Sequence, residues 1–341
     1  MWLLDPNSYS LKQLRNYNEG RRKTCPQKDY KKGSDIVGIE KFRRKSVFKA
    51  LSVNGIDVSG GLGMPAIQGK VYYVEGNAGL DSQDGLSWDK AKKTLASAIT
   101  ASNANIAAGS SGWASRNTIF VKADAITEDL TVPPVKCDVI GCGSCNEQNR
   151  TRIIGAHAWT CSGTLMGSAF YNIEFWNDAA TAIFTVASVA GLYFSNCQFV
   201  AKADAIHAIH ITGAIGHDLE FIDCNMINDE ANDPFDTAAI LIATTTTFWN
   251  LKIKNSYIEG DIGIKIDTTN LYNGRLDKCV VKAVTLPLDD NSDDLVWTNN
   301  IFISAANATT PNNVVDANVK LGGGNYLTDG TVGTILYPVN A

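Results

Sequence analysis

Six stretches of this chain align without gaps as one octet, Φ-x-Φ-x-N-[CS]-x-Φ, where Φ is apolar. They run Ser168 to Phe175 (SAFYNIEF), Leu192 to Phe199 (LYFSNCQF), Leu219 to Met226 (LEFIDCNM), Leu251 to Ile258 (LKIKNSYI), Gly274 to Val281 (GRLDKCVV) and Leu295 to Phe302 (LVWTNNIF). Their fifth residues are Asn172, Asn196, Asp223, Asn255, Lys278 and Asn299, at intervals of 24, 27, 32, 23 and 21 residues. In Leu192-Tyr193-Phe194 the apolar residues alternate, as a strand with one buried face requires. After Asn196 the parity slips by one, and Cys197 and Phe199 become the inward pair. Such a slip normally turns a strand inside out. It is tolerated if the chain turns a corner at the fifth residue in the left-handed conformation, which Asn and Asp accept most readily after glycine. Each octet therefore reads as two short strands facing one core across a one-residue bend. Lys278 is the exception and is expected to be strained or locally different.

A bend repeated every 21–32 residues builds a coil. Stacked coils pair their strands in parallel, and like residues form ladders. Cys197, Cys224 and Cys279 share one register with Ser256 and Asn300, which points to core packing rather than metal binding or disulfides. Upstream, Val71-Tyr72-Tyr73-Val74 reads as a strand. Ser87 reads as the N-cap of a helix near 87–101, with Trp88, Ala91, Leu95 and Ala98 on one face, placed to cover the open end of the stack. The expected fold is all-β: a right-handed parallel β-helix solenoid with a short N-terminal capping helix and an extended basic N-terminal arm.

The net charge of −5 hides an asymmetry. Residues 1–53 carry 13 Lys/Arg against 5 Asp/Glu, so the remainder carries 17 against 30. A basic arm on an acidic body is an interaction signal, and an arm so poor in apolar residues gains too little from burial to order itself. The Gly60-Gly61-Leu62-Gly63-Met64-Pro65 stretch reads as a linker. Residues 1–66 are thus expected to be a docking arm and linker, and 67–341 the β-helix. Within the arm, Arg21, Arg22 and Lys23, with Arg43, Arg44 and Lys45, are the candidate partner contacts. An acidic protein neighbour fits them, and nucleic acid is not expected because the arm's aromatics show no regular interleaving. The Met1–Pro6 start lacks the basic and apolar regions of a secretion signal, so cytoplasmic assembly and reduced cysteines are expected. No run of 18 uncharged apolar residues occurs, so no membrane span is expected.

The opening Val71–Val74…Asp84-Gly85-Leu86-Ser87-Trp88…Lys93-Thr94-Leu95 and the octet together resemble the right-handed parallel β-helix, or pectin-lyase-like, superfamily. The resemblance spans about residues 70–305. It specifies fold strongly and function weakly, because polysaccharide lyases, hydrolases, adhesins and phage tailspikes share the scaffold. A basic arm, glycine linker and β-helix without an export signal most resemble virion proteins of tailed phages. That resemblance implies a structural component, as decoration, fibre or spike, assembled in a host cytoplasm. It would be docked to other virion proteins through residues 1–66, be homotrimeric, and have a host-surface glycan as candidate ligand. The alternative is a polysaccharide-degrading tailspike or lyase-like enzyme. A carboxylate pair or an Arg/Lys–carboxylate cluster along one exposed sheet would favour it.

Glycoside hydrolysis needs two carboxyl groups, one of them held protonated. Asp293 and Asp294, beside Asp289 and Asp290, are the weak candidates. Polygalacturonases on this fold carry N-x-D, D-D, G-H-[GS] and R-x-K in that order. Here Gly216-His217-Asp218 precedes the acidic pair, and Arg275-Leu276-Asp277-Lys278 has the wrong spacing. No catalytic residue is therefore assigned. Asp229, Glu230, Asp233 and Asp236 fall in the longest repeat interval and read as an excursion loop for a glycan or partner rather than a calcium site. His207 and His210, with odd and even spacing, are placed on opposite strand faces. Cys137, Cys142 and Cys145 lack a second ligand pair for zinc. No metal and no cofactor is expected.

Overall fold

The computed structural model describes residues 52–53, 56–57, 69–108, 116–143, 150–160, 167–202, 205–228, 235–243, 246–292, 295–304, 325–328 and 337–338. The chain divides into two units, Met1–Met64 and Pro65–Ala341. In the first, Ser52–Val53 pairs antiparallel with Ile56–Asp57. The arm residues Arg21, Arg22, Lys23, Arg43, Arg44 and Lys45 lie outside the described residues.

The second unit is a parallel β-helix with three faces. The first face stacks Val71–Val74, Asn117–Val121, Cys137–Gly141, Ser168–Tyr171, Val189–Ser195, Ile215–Ile222, Thr247–Lys254, Gly274–Asp277 and Leu295–Thr298 in sequence order. The second runs from Ala125–Thr127 through Thr151–Ile154, Ile173–Asn177, Gln198–Ala201 and Asn225–Asn228. It continues into Tyr257–Ile266, Val280–Asp290, Ile301–Ser304 and Tyr326–Thr328. The third comprises His157–Trp159, Ala182–Val186, His207–Ile211 and Phe235–Ile242, which then pairs with the far half of Tyr257–Ile266. A register shift between Gly260 and Ile262, in the pairing with Val280–Asp290, lets that long strand serve both faces.

The bend works as the parity slip requires. Asn172, Asn196, Asp223, Asn255, Lys278 and Asn299 all have positive φ, between 49° and 57°. Both halves of each octet then point inward: Phe170/Phe175, Phe194/Phe199, Phe221/Met226 and Ile253/Ile258 are all essentially inaccessible. Phe194 stacks between Phe170 and Phe221 at centroid distances of 5.4 and 5.3 Å. Cys197, Cys224 and Cys279 are buried free thiols. Burial pushes the Cys197 and Cys279 thiols up to about 12, so they pack as inert small residues. Ser256, Asn300 and Asn325 extend the column with side chains that cap the backbone N–H of the coil before: Cys224 N–H donates to Ser256 Oγ at 3.2 Å, and Cys279 N–H to Asn300 Oδ1 at 2.8 Å.

Lys278 is not locally different. It adopts the same left-handed bend, at φ 55°, where a Cβ-bearing residue without a short polar side chain is disfavoured by about 1 kcal/mol. Lys278→Asn is therefore expected to stabilise the body by about 0.5–1 kcal/mol and raise its melting temperature. A lower melting temperature would show that the lysine side chain contributes more than its strained backbone costs.

The capping helix starts later than its sequence suggests. Trp88–Lys90 forms only a 3-10 turn, the Ser87 side chain caps nothing, and the α-helix spans Leu95–Ala108. The open edge of the first strand explains the break. Tyr73 N–H donates to the Gly85 carbonyl at 2.8 Å and Glu75 N–H to the Lys92 carbonyl at 2.9 Å, so residues 85–92 are drawn out to cover that edge. Helix entry is then held by Thr94, whose hydroxyl accepts from Ser97 N–H at 3.2 Å. Glu128, from the next coil, accepts from Leu95 N–H at 2.8 Å and Ala96 N–H at 3.0 Å. Leu95, Ala98 and Ile99 are buried at the end of the core.

Candidate functional site

The first face carries a second column of corners. Lys136, Gly167, Gly191, Asp218, Asn250 and Asn273 have φ of 45°, 73°, 73°, 57°, 61° and 59°. The pairing of Ser168 with Leu192, Leu192 with Leu219 and Leu219 with Leu251 puts these residues in one line along the solenoid. From Gly167 to Asn273 each stands five residues before an octet bend, so the rungs that begin at Ser168, Leu192, Leu219, Leu251 and Gly274 are short strands between two left-handed corners.

Where the corner residues are Gly167 and Gly191, the line has no side chains, and Ala169 adds little height beside them. The result is a cavity of about 310 Å³ on the outer side of the face. Its floor is Gly167, Ser168, Ala169, Gly191 and Leu192; Arg116 walls one end, Tyr171 and Tyr193 line it, and Asp218, Glu220, Asn250 and Lys252 wall the other.

The two cationic side chains that line this cavity are already paired with carboxylates. Arg116 Nε donates to Asp138 Oδ2 at 2.7 Å, its Nη2 reaches the other oxygen, and its Nη1 donates to the Gly167 carbonyl. Lys252 Nζ donates to Glu220 at 3.2 Å. Asn250 Nδ2 donates to Asp218 at 2.7 Å and its Oδ1 accepts from Asn273 at 3.4 Å, so the second corner column is also a hydrogen-bond ladder. His217 Nδ1 lies 3.0 Å from the other Asp218 oxygen. Partial burial alone would raise the Asp218 carboxyl, but the hydrogen bonds from His217 and Asn250 outweigh it and hold the group below its ordinary range.

Aromatic rings continue along the same outer side. Tyr171 and Tyr193 meet at 5.6 Å. In the column of His217, Trp249 and Tyr272 stack at 5.7 Å with 23° between planes, and they are 37 % and 41 % exposed. Towards the N-terminal end, Tyr73 stacks on Phe120 and against Trp88, whose centroid is 4.8 Å away.

The acidic residues singled out by sequence fare differently. Asp293 and Asp294, and Asp229, Glu230 and Asp233 of the excursion loop, lie outside the described residues. Asp236 is exposed near the start of the strand Phe235–Ile242, away from the cavity lining. Asp290 is buried and accepts from Ser292 N–H at 2.9 Å, closing a turn. Asp289 lies 3.9 Å from Lys265. Neither reaches the cavity.

His217, Asp218 and Arg275, set aside above because their order departs from a hydrolase motif, sit instead on the face that bears the cavity. For Arg275, as for Tyr193, Glu220 and Lys252, the signal was present at the second octet position, an outward column in which alternation demands only a solvated residue.

The rings of His207 and His210 meet at 4.9 Å, contrary to the opposite faces expected from their spacing. His207 is the first residue of its strand, where alternation does not yet bind the side chain, and its Nδ1 lies 2.7 Å from the Ala238 carbonyl. Among the described residues no group of three or more metal-ligating side chains gathers, and no helix is long and apolar enough to cross a membrane. No family model, no curated protein and no solved structure matches this chain.

Proposed function

We propose that the chain is a structural β-helix of a phage-like particle that displays a saccharide-binding groove on its first face. The arm of residues 1–66 would dock it to another particle protein. The observation that carries the binding reading is the 310 Å³ cavity with paired aromatic rings beside it and hydrogen-bonding carboxylate and amide groups at its end. Sugars present apolar ring faces and a rim of hydroxyls, and amphipathic rings beside fixed polar groups suit both. The virion placement rests on the basic arm, the glycine linker and the resemblance of the solenoid, and a homotrimer would follow from the same resemblance.

An enzyme reading has one observation in its favour: the ion pairs Arg116–Asp138 and Glu220–Lys252 and the hydrogen bond between His217 and Asp218 lie along one exposed sheet. Hydrolysis needs a proton donor, however. Asp218 is held ionised and Glu220 is tied to Lys252, so the geometry favours binding over cleavage. The full chain is expected to bind host-surface polysaccharide without releasing new reducing ends or unsaturated products. Cleavage by wild type that Asp218→Asn or Glu220→Gln abolishes would instead establish the enzyme. Cleavage lost only in Asp293→Asn or Asp294→Asn would place a catalytic site elsewhere.

A further inference from the structure

We infer that the groove selects a neutral, hydroxyl-rich saccharide and discriminates against acidic ones such as uronate polymers. This rests on the saccharide reading above and adds the ligand's charge class. Recognition of a sugar carboxylate calls for a cation that is not already neutralised. The cavity holds two cations, and both are spoken for. The Arg116 guanidinium spends its fork on Asp138 and another N–H on the Gly167 carbonyl. Lys252 is paired with Glu220. Prising either away for an incoming anion would strand Asp138 or Glu220 beside that anion, a double penalty.

What the cavity does offer is hydrogen-bonding capacity without spare positive charge. Asp218 stays ionised and acts only as an acceptor, which suits donation from hydroxyls. Its own position is fixed by Asn250, which Asn273 positions in turn. A hydroxyl can donate to Asp218 and accept from a neighbouring group without disturbing either ion pair. Tyr171 and Tyr193 supply the surface for an apolar ring face. Arg275 stands one rung past Lys252 in the outward column and does not line the cavity.

The corner column supplies the test. Asn250 and Asn273 hold the same left-handed line as Gly191, so Gly191→Asn keeps a residue suited to that backbone while placing a side chain in the cavity floor. Full-length protein would be titrated by calorimetry with neutral malto-, cello- and galacto-oligosaccharides, and with oligogalacturonates and sialylated oligosaccharides. Thermal melts would confirm folding, and Tyr193→Ala would serve as a second variant.

The expected result is binding of a neutral oligosaccharide that changes less than about twofold between low and high salt. That binding should weaken about tenfold or more in Gly191→Asn and in Tyr193→Ala, the equivalent of about 1.4 kcal/mol. Tighter, salt-sensitive binding of the acidic oligosaccharides would overturn the charge assignment and leave the saccharide reading standing. Neutral binding indifferent to both substitutions would also overturn it, by placing the site elsewhere. Absence of binding by every oligosaccharide would remove the saccharide reading, and this inference with it.

Discussion

Replacing Phe194 with alanine is expected to destabilise the β-helix by about 3–5 kcal/mol, measured as a lower urea midpoint with fluorescence and circular dichroism in agreement. Phe194 is fully buried at mid-solenoid and meets five aromatic neighbours. It stacks on Phe170 and Phe221 along the axis and meets Phe175, Phe184 and Phe199 across the core at 6.1, 5.6 and 5.2 Å. Truncation loses the ring's burial, leaves a cavity that neighbouring coils cannot close, and removes aromatic pairs worth about 0.5–1.5 kcal/mol each. Because each coil is stabilised by its neighbours, damage in the middle of the stack weakens the coils on both sides. Ile222→Ala, on the outer side of the same rung as Asp223, should cost far less. Equal losses at the two positions would contradict the inward and outward assignment.

The inward assignment was legible because burial imposes a period. Only one phase of the octet hides Phe194, Cys197 and Phe199 together, and the slip at Asn196 demands a corner. The second corner column was equally present in the sequence. The residue before each octet is Gly167, Gly191, Asp218, Asn250, Asn273 and Asp294, all types that accept the left-handed backbone. The first five of these bend, and Asp294 lies outside the described residues. Glycine, Asp and Asn look unlike one another in a sequence, and only their shared left-handed conformation makes them one column.

The cavity was illegible for another reason. It is an absence, made by Gly167, Ala169 and Gly191, and its walls reach from Arg116 to Lys252. Only register brings these residues together, and the intervals that set the register vary. A motif search in chain order could not find it, since stacking coils makes spatial neighbours of residues that a linear signature separates. The helix start shifted because an unpaired strand edge at Val71–Val74 outcompeted the helical pattern at Trp88–Ala91.

Mild acid is expected to weaken the body between about pH 6.5 and pH 4, before most carboxylates titrate. Two histidines cause this. His157 is 1 % exposed, accepts from Leu130 N–H at Nδ1, 3.1 Å away, and lies against Phe175 and Phe184. Burial pushes it down to about 4, with Asp129 opposing only weakly. His207 is likewise lowered to about 4, first by burial and then by His210 and Lys265, against the hydrogen bond to Ala238.

In both cases the folded form resists a proton that the unfolded chain takes up near pH 6.5. Stability is therefore whole above that value and falls as the pH drops towards the folded pKa. The shift at His157 corresponds to a loss of about 3 kcal/mol over that window. Glu128 acts with the opposite sign, because burial raises its carboxyl and folding then favours its proton. The total slope thus mixes several groups, and a variant must isolate the histidine. His157→Asn keeps an acceptor for Leu130 N–H but cannot titrate. Although less stable at neutral pH, it should lose close to one proton from the linkage measured by urea unfolding at a series of pH values. An unchanged slope in this variant would mean that His157 is charged, or hydrated, inside the core.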